Sequence, residues 1–266
     1  MMNPEFNRSA VNAADCIGTG WNLVTRNLGL YIGVTVVAAL MIIVVSCIPF
    51  VNIFLIAPIM GGVYYIALRD INNEPIDFGM MFKGFEKFVP LMVIGVIQGI
   101  PSVIFQAFRL TVNFANVLSR GGAMPSRRGD FFQATQPDLS GILAGLSALM
   151  IVVSLVFIVF SIIWGLLFFF AVPQVIDRNL GPIDAIKMSF SAAMGNFGGV
   201  LALLILCGFV VLLGVIALCF GLLVAIPVTW VASAYAYRLV FPRLNQNYYS
   251  TPPPPSAYGS TFGQGM

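Results

Sequence analysis

Residues 142–176 read ILAGLSALMIVVSLVFIVFSIIWGLLFFFAVPQVI, without a single Asp, Glu, Lys or Arg. A segment in hydrocarbon has to satisfy its backbone amides internally, as an α-helix does, and about 20 apolar helical residues cross the roughly 30 Å core of a bilayer. This stretch exceeds one perpendicular crossing, so it is expected to form a tilted or extended span. Outward from it, uncharged apolar runs recur at 30–50, 51–68, 88–108, 197–218 and 219–237. The last two are continuous and read as a hairpin, giving six spans in all.

Composition agrees. Of 266 residues, 59% are hydrophobic and 9% charged, with a mean hydropathy of +0.95. A water-soluble fold could not hide so much apolar surface. The net charge of +3 is too small and too dispersed to suggest a nucleic-acid partner. No apolar core followed by a small-residue cleavage site precedes Arg26, so the first span is expected to serve as the insertion signal. Cys16, Cys47, Cys207 and Cys219 fall singly in or beside apolar runs and read as packing residues.

With six spans, the N-terminus, the segments after Leu68 and Ile176, and the C-terminus share one face. Arg8, Arg26, Arg69, Lys83, Lys87, Arg178, Lys187, Arg238 and Arg243 lie there, while Arg109, Arg120, Arg127 and Arg128 lie opposite. By the positive-inside rule both termini are expected in the cytoplasm. A long outer loop is expected from Arg109 to Ser140. Residues 242–266, with the run Pro252 to Pro255 and a Gly-rich end, read as a disordered cytoplasmic tail.

A shift of 169 positions aligns residues 15–69 with 184–238 without a gap. It pairs Asp15 with Asp184, Ile17 with Ile186, Asn27 with Asn196, Gly29 with Gly198, Pro58 with Pro227, Ala67 with Ala236 and Arg69 with Arg238. These identities fall at structural punctuation, which is where a repeat keeps its residues. Pro-Ile-Asp recurs at 75–77 and 182–184, and each Asp precedes a segment apolar on one side. The chain therefore reads as an all-α membrane bundle of six transmembrane helices. Its units, about 15–69, 77–176 and 184–238, are three like-oriented hairpins, each entered through an Asp-capped amphipathic helix in the interface.

Chemistry-bearing residues are scarce. There is no histidine, so no Ser-His or Cys-His pair and no His-ligated metal. A charge at mid-helix costs roughly 2.5–3.5 kcal/mol on insertion scales, and no apolar run carries one. No catalytic residue, cofactor or metal site is expected, and the chain reads as a non-enzyme. The best polar feature is a stripe at helical spacing, Gln98, Ser102, Gln106, Arg109 and Asn113. Amides so placed either bond to a neighbouring helix, the commoner use, or line a polar path. Pro58 and Pro227 occupy matching places and are candidate helix kinks. GxxxG at Gly29/Gly33, Gly95/Gly99, Gly141/Gly145 and Gly195/Gly199 suggests close helix packing.

The segments Pro173-Gln174-Val175-Ile176-Asp177-Arg178-Asn179 and Gly181-Pro182-Ile183-Asp184-Ala185, with Ser189-Phe190 before Asn196, carry a resemblance. The chain resembles a broad group of bacterial six-span membrane proteins, including YciC-like proteins and the membrane domain attached to some glycerophosphodiester phosphodiesterases. That resemblance implies a bacterial inner-membrane location and no particular chemistry. Two functions are thus expected: a non-enzymatic scaffold, accessory subunit or lipid-interacting protein, or a permease for a neutral or amphipathic, lipid-like solute. The expected partners are membrane lipids, with a membrane-protein partner or a second copy of the chain beside them.

Overall fold

Helices follow one another with little irregular chain between them. The structure is a computed structural model that describes residues 6–48, 51–121 and 139–243, and within these the side chains outside 112–149 and 218–220. In chain order the helices are α1 (Ala13–Arg26), α2 (Leu28–Ser46), α3 (Val51–Ile71), a 3-10 turn (Phe78–Phe82), α4 (Lys83–Glu86) and α5 (Phe88–Gly121). Then come α6 (Leu139–Leu167), α7 (Ala171–Arg178), α8 (Pro182–Gly195), α9 (Phe197–Ile216) and α10 (Leu218–Val240). Among the described residues, six helical stretches are long and apolar enough to cross a membrane, in an all-α bundle.

Helix entry departs from expectation in two of three places. Asp77 does cap: its Oδ2 accepts from the Gly79 N–H at 2.8 Å. At α1 the cap is Asn12, whose Oδ1 accepts from Ala14 N–H at 3.2 Å, while Asp15 lies inside the first turn. At α8 the cap position is Gly181 and Asp184 lies inside the first turn. A carboxylate there still complements the positive end of the helix dipole, which is why the sequence pattern looked like a cap.

α1 is amphipathic, with Cys16, Gly20 and Val24 buried and Trp21 exposed. Its buried stripe lies against the bundle. A Cβ on Gly20 would stand 2.7 Å from the Val228 carbonyl oxygen of α10, so the two backbones touch. Asn196 ties the preceding strand of chain down: its Oδ1 accepts from Ala10 N–H at 2.8 Å, and its Nδ2 donates to the Asn7 carbonyl at 2.9 Å. The segment after Asp77 is shorter than a full amphipathic helix, being the 3-10 turn and α4 alone. It presses onto α3, where a Cβ on Gly62 would come within 1.6 Å of the Met81 carbonyl and one on Gly84 within 2.1 Å of the Pro58 carbonyl.

The fourth apolar run is broken rather than simply tilted. α6 ends at Leu167, Phe168–Phe170 form a tight turn, and α7 resumes at Ala171. Ser189 of α8 secures the break: its Oγ donates to the Leu167 carbonyl at 2.7 Å and accepts from the Phe170 N–H at 3.1 Å. These are the groups that an interrupted helix frees, and leaving them unpaired in an apolar setting is costly. α7 closes at Asn179, in the left-handed region at φ 54°, and Lys87 Nζ donates to the Val175 and Ile176 carbonyls at 3.1 and 3.2 Å. Partial burial lowers the Lys87 pKa from its ordinary value.

The expected outer loop from Arg109 is also revised, since α5 continues past Phe108 to Gly121 and α6 begins at Leu139. Residues 122–138 and 244–266, which include most of the tail, lie outside the described residues.

Candidate functional site: a crevice beside the middle hairpin

α3 and α5 meet at two glycines of α5. A Cβ on Gly95 would lie 2.5 Å from the Ile53 carbonyl, and one on Gly99 would lie 2.9 Å from Ile53 Cγ2. That bears out close packing for one GxxxG pair. Gly195 and Gly199 abut Phe6 and Val11 of the N-terminal segment, whereas Gly29 has open space, and the side chains around Gly141 and Gly145 lie outside the described residues.

On the other side of α5, α6 is held by a stacked pair, Phe105 and Phe157, with centroids 4.1 Å apart. Trp164 adds a bond from its Nε1 to the Gln98 carbonyl at 3.2 Å. Between α3, α5 and the break after α6 the helices do not close, leaving a crevice of about 400 Å³. Its polar lining is Asn52, Tyr64, Gln98, Ser102 and Gln106; Ile53, Ile56, Met60, Phe168, Phe169 and Val172 supply most of the apolar wall.

Three members of the expected stripe are thus brought together, because residues spaced i, i+4 and i+8 share one helix face. Among the described residues, no hydrogen bond joins the Gln98 or Gln106 side chain to a neighbouring helix. Arg109 does not line the crevice; its guanidinium stands 6.0 Å from the Phe105 ring centroid. The Asn113 side chain lies outside the described residues.

Pro58 and Pro227 sit inside α3 and α10, both of which run on past them. Pro58 belongs to the buried contact with Gly84, on another side of α3 from the crevice wall. A third intrahelical proline, Pro101, lies in α5 between the glycines and Gln106 and was not among the kink candidates. Nor did the sequence point to Asn52, Tyr64 or the Phe168–Phe169 floor. The only available signal was the interruption of an apolar run by Asn52.

A second polar region lies at the end of the bundle where α1, α3, α7 and α10 are joined by ion pairs. Buried Asp70 of α3 accepts from Arg26 Nη2 at 2.6 Å, Asn27 Nδ2 at 3.1 Å and Tyr31 OH at 2.8 Å. Asp177 of α7 accepts from Tyr237 OH at 3.0 Å and from both terminal nitrogens of Arg238, at 2.9 and 3.1 Å. Glu74 pairs with Arg69 at 3.2 Å and Arg243 at 2.8 Å. Asp70, Asp177 and Glu74 are each matched to a cation and fasten helix ends together. Among the described residues, no three His, Cys, Asp or Glu side chains converge as metal ligands would. No family model, curated protein or solved structure matches the chain.

Proposed function

We propose that the chain is a multi-pass protein of a bacterial inner membrane that binds an amphipathic, lipid-like molecule from the bilayer in the crevice beside α5, without catalysing a reaction. The observation that carries this reading is the crevice itself, with two glutamine amides, an asparagine, a serine and a tyrosine facing an otherwise apolar volume of about 400 Å³. Amides in contact with hydrocarbon are costly unless bonded. Gln98 and Gln106 make no bond to a neighbouring helix among the described residues, which leaves their amides open to water or a ligand in the crevice. The volume lies within the range of ligand pockets, roughly 300–1,000 Å³.

We read both termini as cytoplasmic. Supporting this, Arg26, Arg69, Lys83, Lys87, Arg178, Arg238 and Arg243 occupy the end where the ion pairs gather. The units are read as repeats of one hairpin plan. At the 169-position shift, α1 (Ala13–Arg26) falls on α8 (Pro182–Gly195), and α2 and α3 fall on α9 and α10 to within two residues at each end.

The test is site-directed photocrosslinking in membranes, with a photoreactive residue at Ser102 in the crevice and, as control, at Ile205 on the outward face of α9. Expected is a discrete small-molecule adduct at 102 and only bulk phospholipid adducts at 205. Identical adduct profiles at the two sites would contradict binding in the crevice. A permease is the second reading, favoured by Pro101 within the crevice-lining helix; it requires protein-dependent flux of the same ligand in proteoliposomes.

A further inference from the structure

We infer that the ligand of the crevice is an amphiphile with an uncharged, hydrogen-bonding head of the polyol type and a single acyl chain in the protein, which rests on the reading of the crevice as a ligand site. Four of the five polar lining residues gather toward one end of the crevice, with Ile53 and Ile56 beside them, while Tyr64 lies toward the other. Asn52 opens α3 at the end away from the termini, and Tyr64 lies 12 residues further along, about 18 Å at 1.5 Å per residue. On α5, Gln98, Ser102 and Gln106 line the same far end, whereas Met60, Phe168, Phe169 and Val172 form the inner part. A ligand that matches both parts has its head among Asn52, Gln98, Ser102 and Gln106, and its chain toward Met60 and Phe168.

Head chemistry follows from those side chains. Asn and Gln amides and the Ser hydroxyl each donate and accept, which is the behaviour of hydroxyls and amides in a partner, whereas a carboxylate or phosphate only accepts and would leave amide oxygens unmatched. Among the described residues, no charged side chain lines the crevice. Arg109, the nearest cation along α5, is one turn beyond Gln106 and stands over the Phe105 ring, which is stacked against α6. An anionic head drawn to Arg109 would pull its chain across the polar stretch from Gln98 to Gln106, about 12 Å of helix, and strip those amides of partners. One chain, rather than two, suits a volume at the small end of ligand pockets.

Trp164 provides a built-in reporter, since its ring precedes the lining Gly165 and its Nε1 bonds the Gln98 carbonyl. With Trp21 and Trp230 changed to Phe in the full chain, reconstituted in phosphatidylcholine vesicles, Trp164 fluorescence is titrated with chain-brominated 1-monoacylglycerol. Expected is saturable quenching above the linear quenching given by brominated phosphatidylcholine. Unbrominated monoacylglycerol should compete, and the free fatty acid and lysophosphatidylglycerol should compete at least tenfold less well. Q98L/Q106L should weaken the saturable component about tenfold while leaving bulk quenching unchanged. Equal or better competition by either anionic amphiphile would overturn the head assignment and leave the crevice as a ligand site. Absence of a saturable component with all three single-chain amphiphiles would overturn the ligand site as well.

Discussion

Two helices of the outer units, α3 and α10, are packed more densely than the middle hairpin, while their partners α2 and α9 are buried over 28% and 22% of their spanning windows. In α3 and α10, 50% and 56% of the spanning window is buried inside the bundle, against 17% for α5 and 11% for the span that contains α6. Backbones touch around α3 and α10, at Gly20 against α10, at Gly62 and Gly84 between α3 and α4, and at Gly95 of α5 against Ile53 of α3. By contrast, α6 shows Ile151, Val152, Leu155, Val156, Ile158 and Val159 on its outside and holds to α5 through an aromatic stack and one indole bond. In a bilayer such outward side chains lose nothing, because lipid is as apolar as they are. The difference teaches where a protein of this kind can keep open space: α3 and α10 are closely packed, and beside the lightly held α6 the helices leave the crevice.

The comparison can be broken most severely at the ion-paired ends. Asp70→Ala leaves Tyr31, Asn27 and Arg26 without their acceptor; because Arg26 is half exposed, a loss near the low end of the buried-pair range, about 3 kcal/mol, is expected in thermal unfolding of the purified protein. Lys83→Met, which breaks an exposed pair with Glu86, should cost under about 1 kcal/mol. Ile66→Ala in α3, at a fully buried site, should cost about 2–4 kcal/mol, and Ile158→Ala on the outside of α6 about 0.5 kcal/mol or less by the same measurement. Similar losses at 66 and 158 would mean that α6 has a protein partner on its outer face.

Ser189→Ala removes the side chain that serves both sides of the break after α6. A cost of about 1–3 kcal/mol is expected, together with altered Trp164 emission, since the floor of the crevice would shift. An unchanged spectrum would separate the break from the crevice. The smallest effect sharpens the picture of the dense region. Gln174 is fully buried and neither atom of its amide has a partner among the described residues, so Gln174→Met should leave stability unchanged or raise it by up to about 1 kcal/mol.

Apolar runs carried most of the fold, because a spanning helix is declared by local composition alone. The 98, 102, 106 stripe was legible for the same reason, as spacing on one helix fixes a shared face whatever surrounds it. Other features depend on distant partners. Nothing within residues 168–170 marks a helix break, since no Pro or Gly occurs there and the stabilising hydroxyl comes from Ser189 on another helix. The backbone contacts at Gly62 and Gly84 and the crevice floor are likewise properties of packing, invisible to periodicity. Asp15 and Asp184 misled because an acid in the first turn and an acid at the cap favour a helix start through the same field.

Water-soluble maleimide labelling of single cysteines along α5 tests the crevice most directly. Cys47 and Cys219 are replaced by Ser beforehand; Cys16 can stay, since burial pushes its thiol up to about 12 and leaves almost no thiolate at neutral pH, as can buried Cys207. Cysteines at 98, 102 and 106 should react, and those at 100 and 104, exposed on the outward side of α5, should not. Equal reaction at both sets, or none at 98, 102 and 106, would contradict a polar crevice in the middle hairpin.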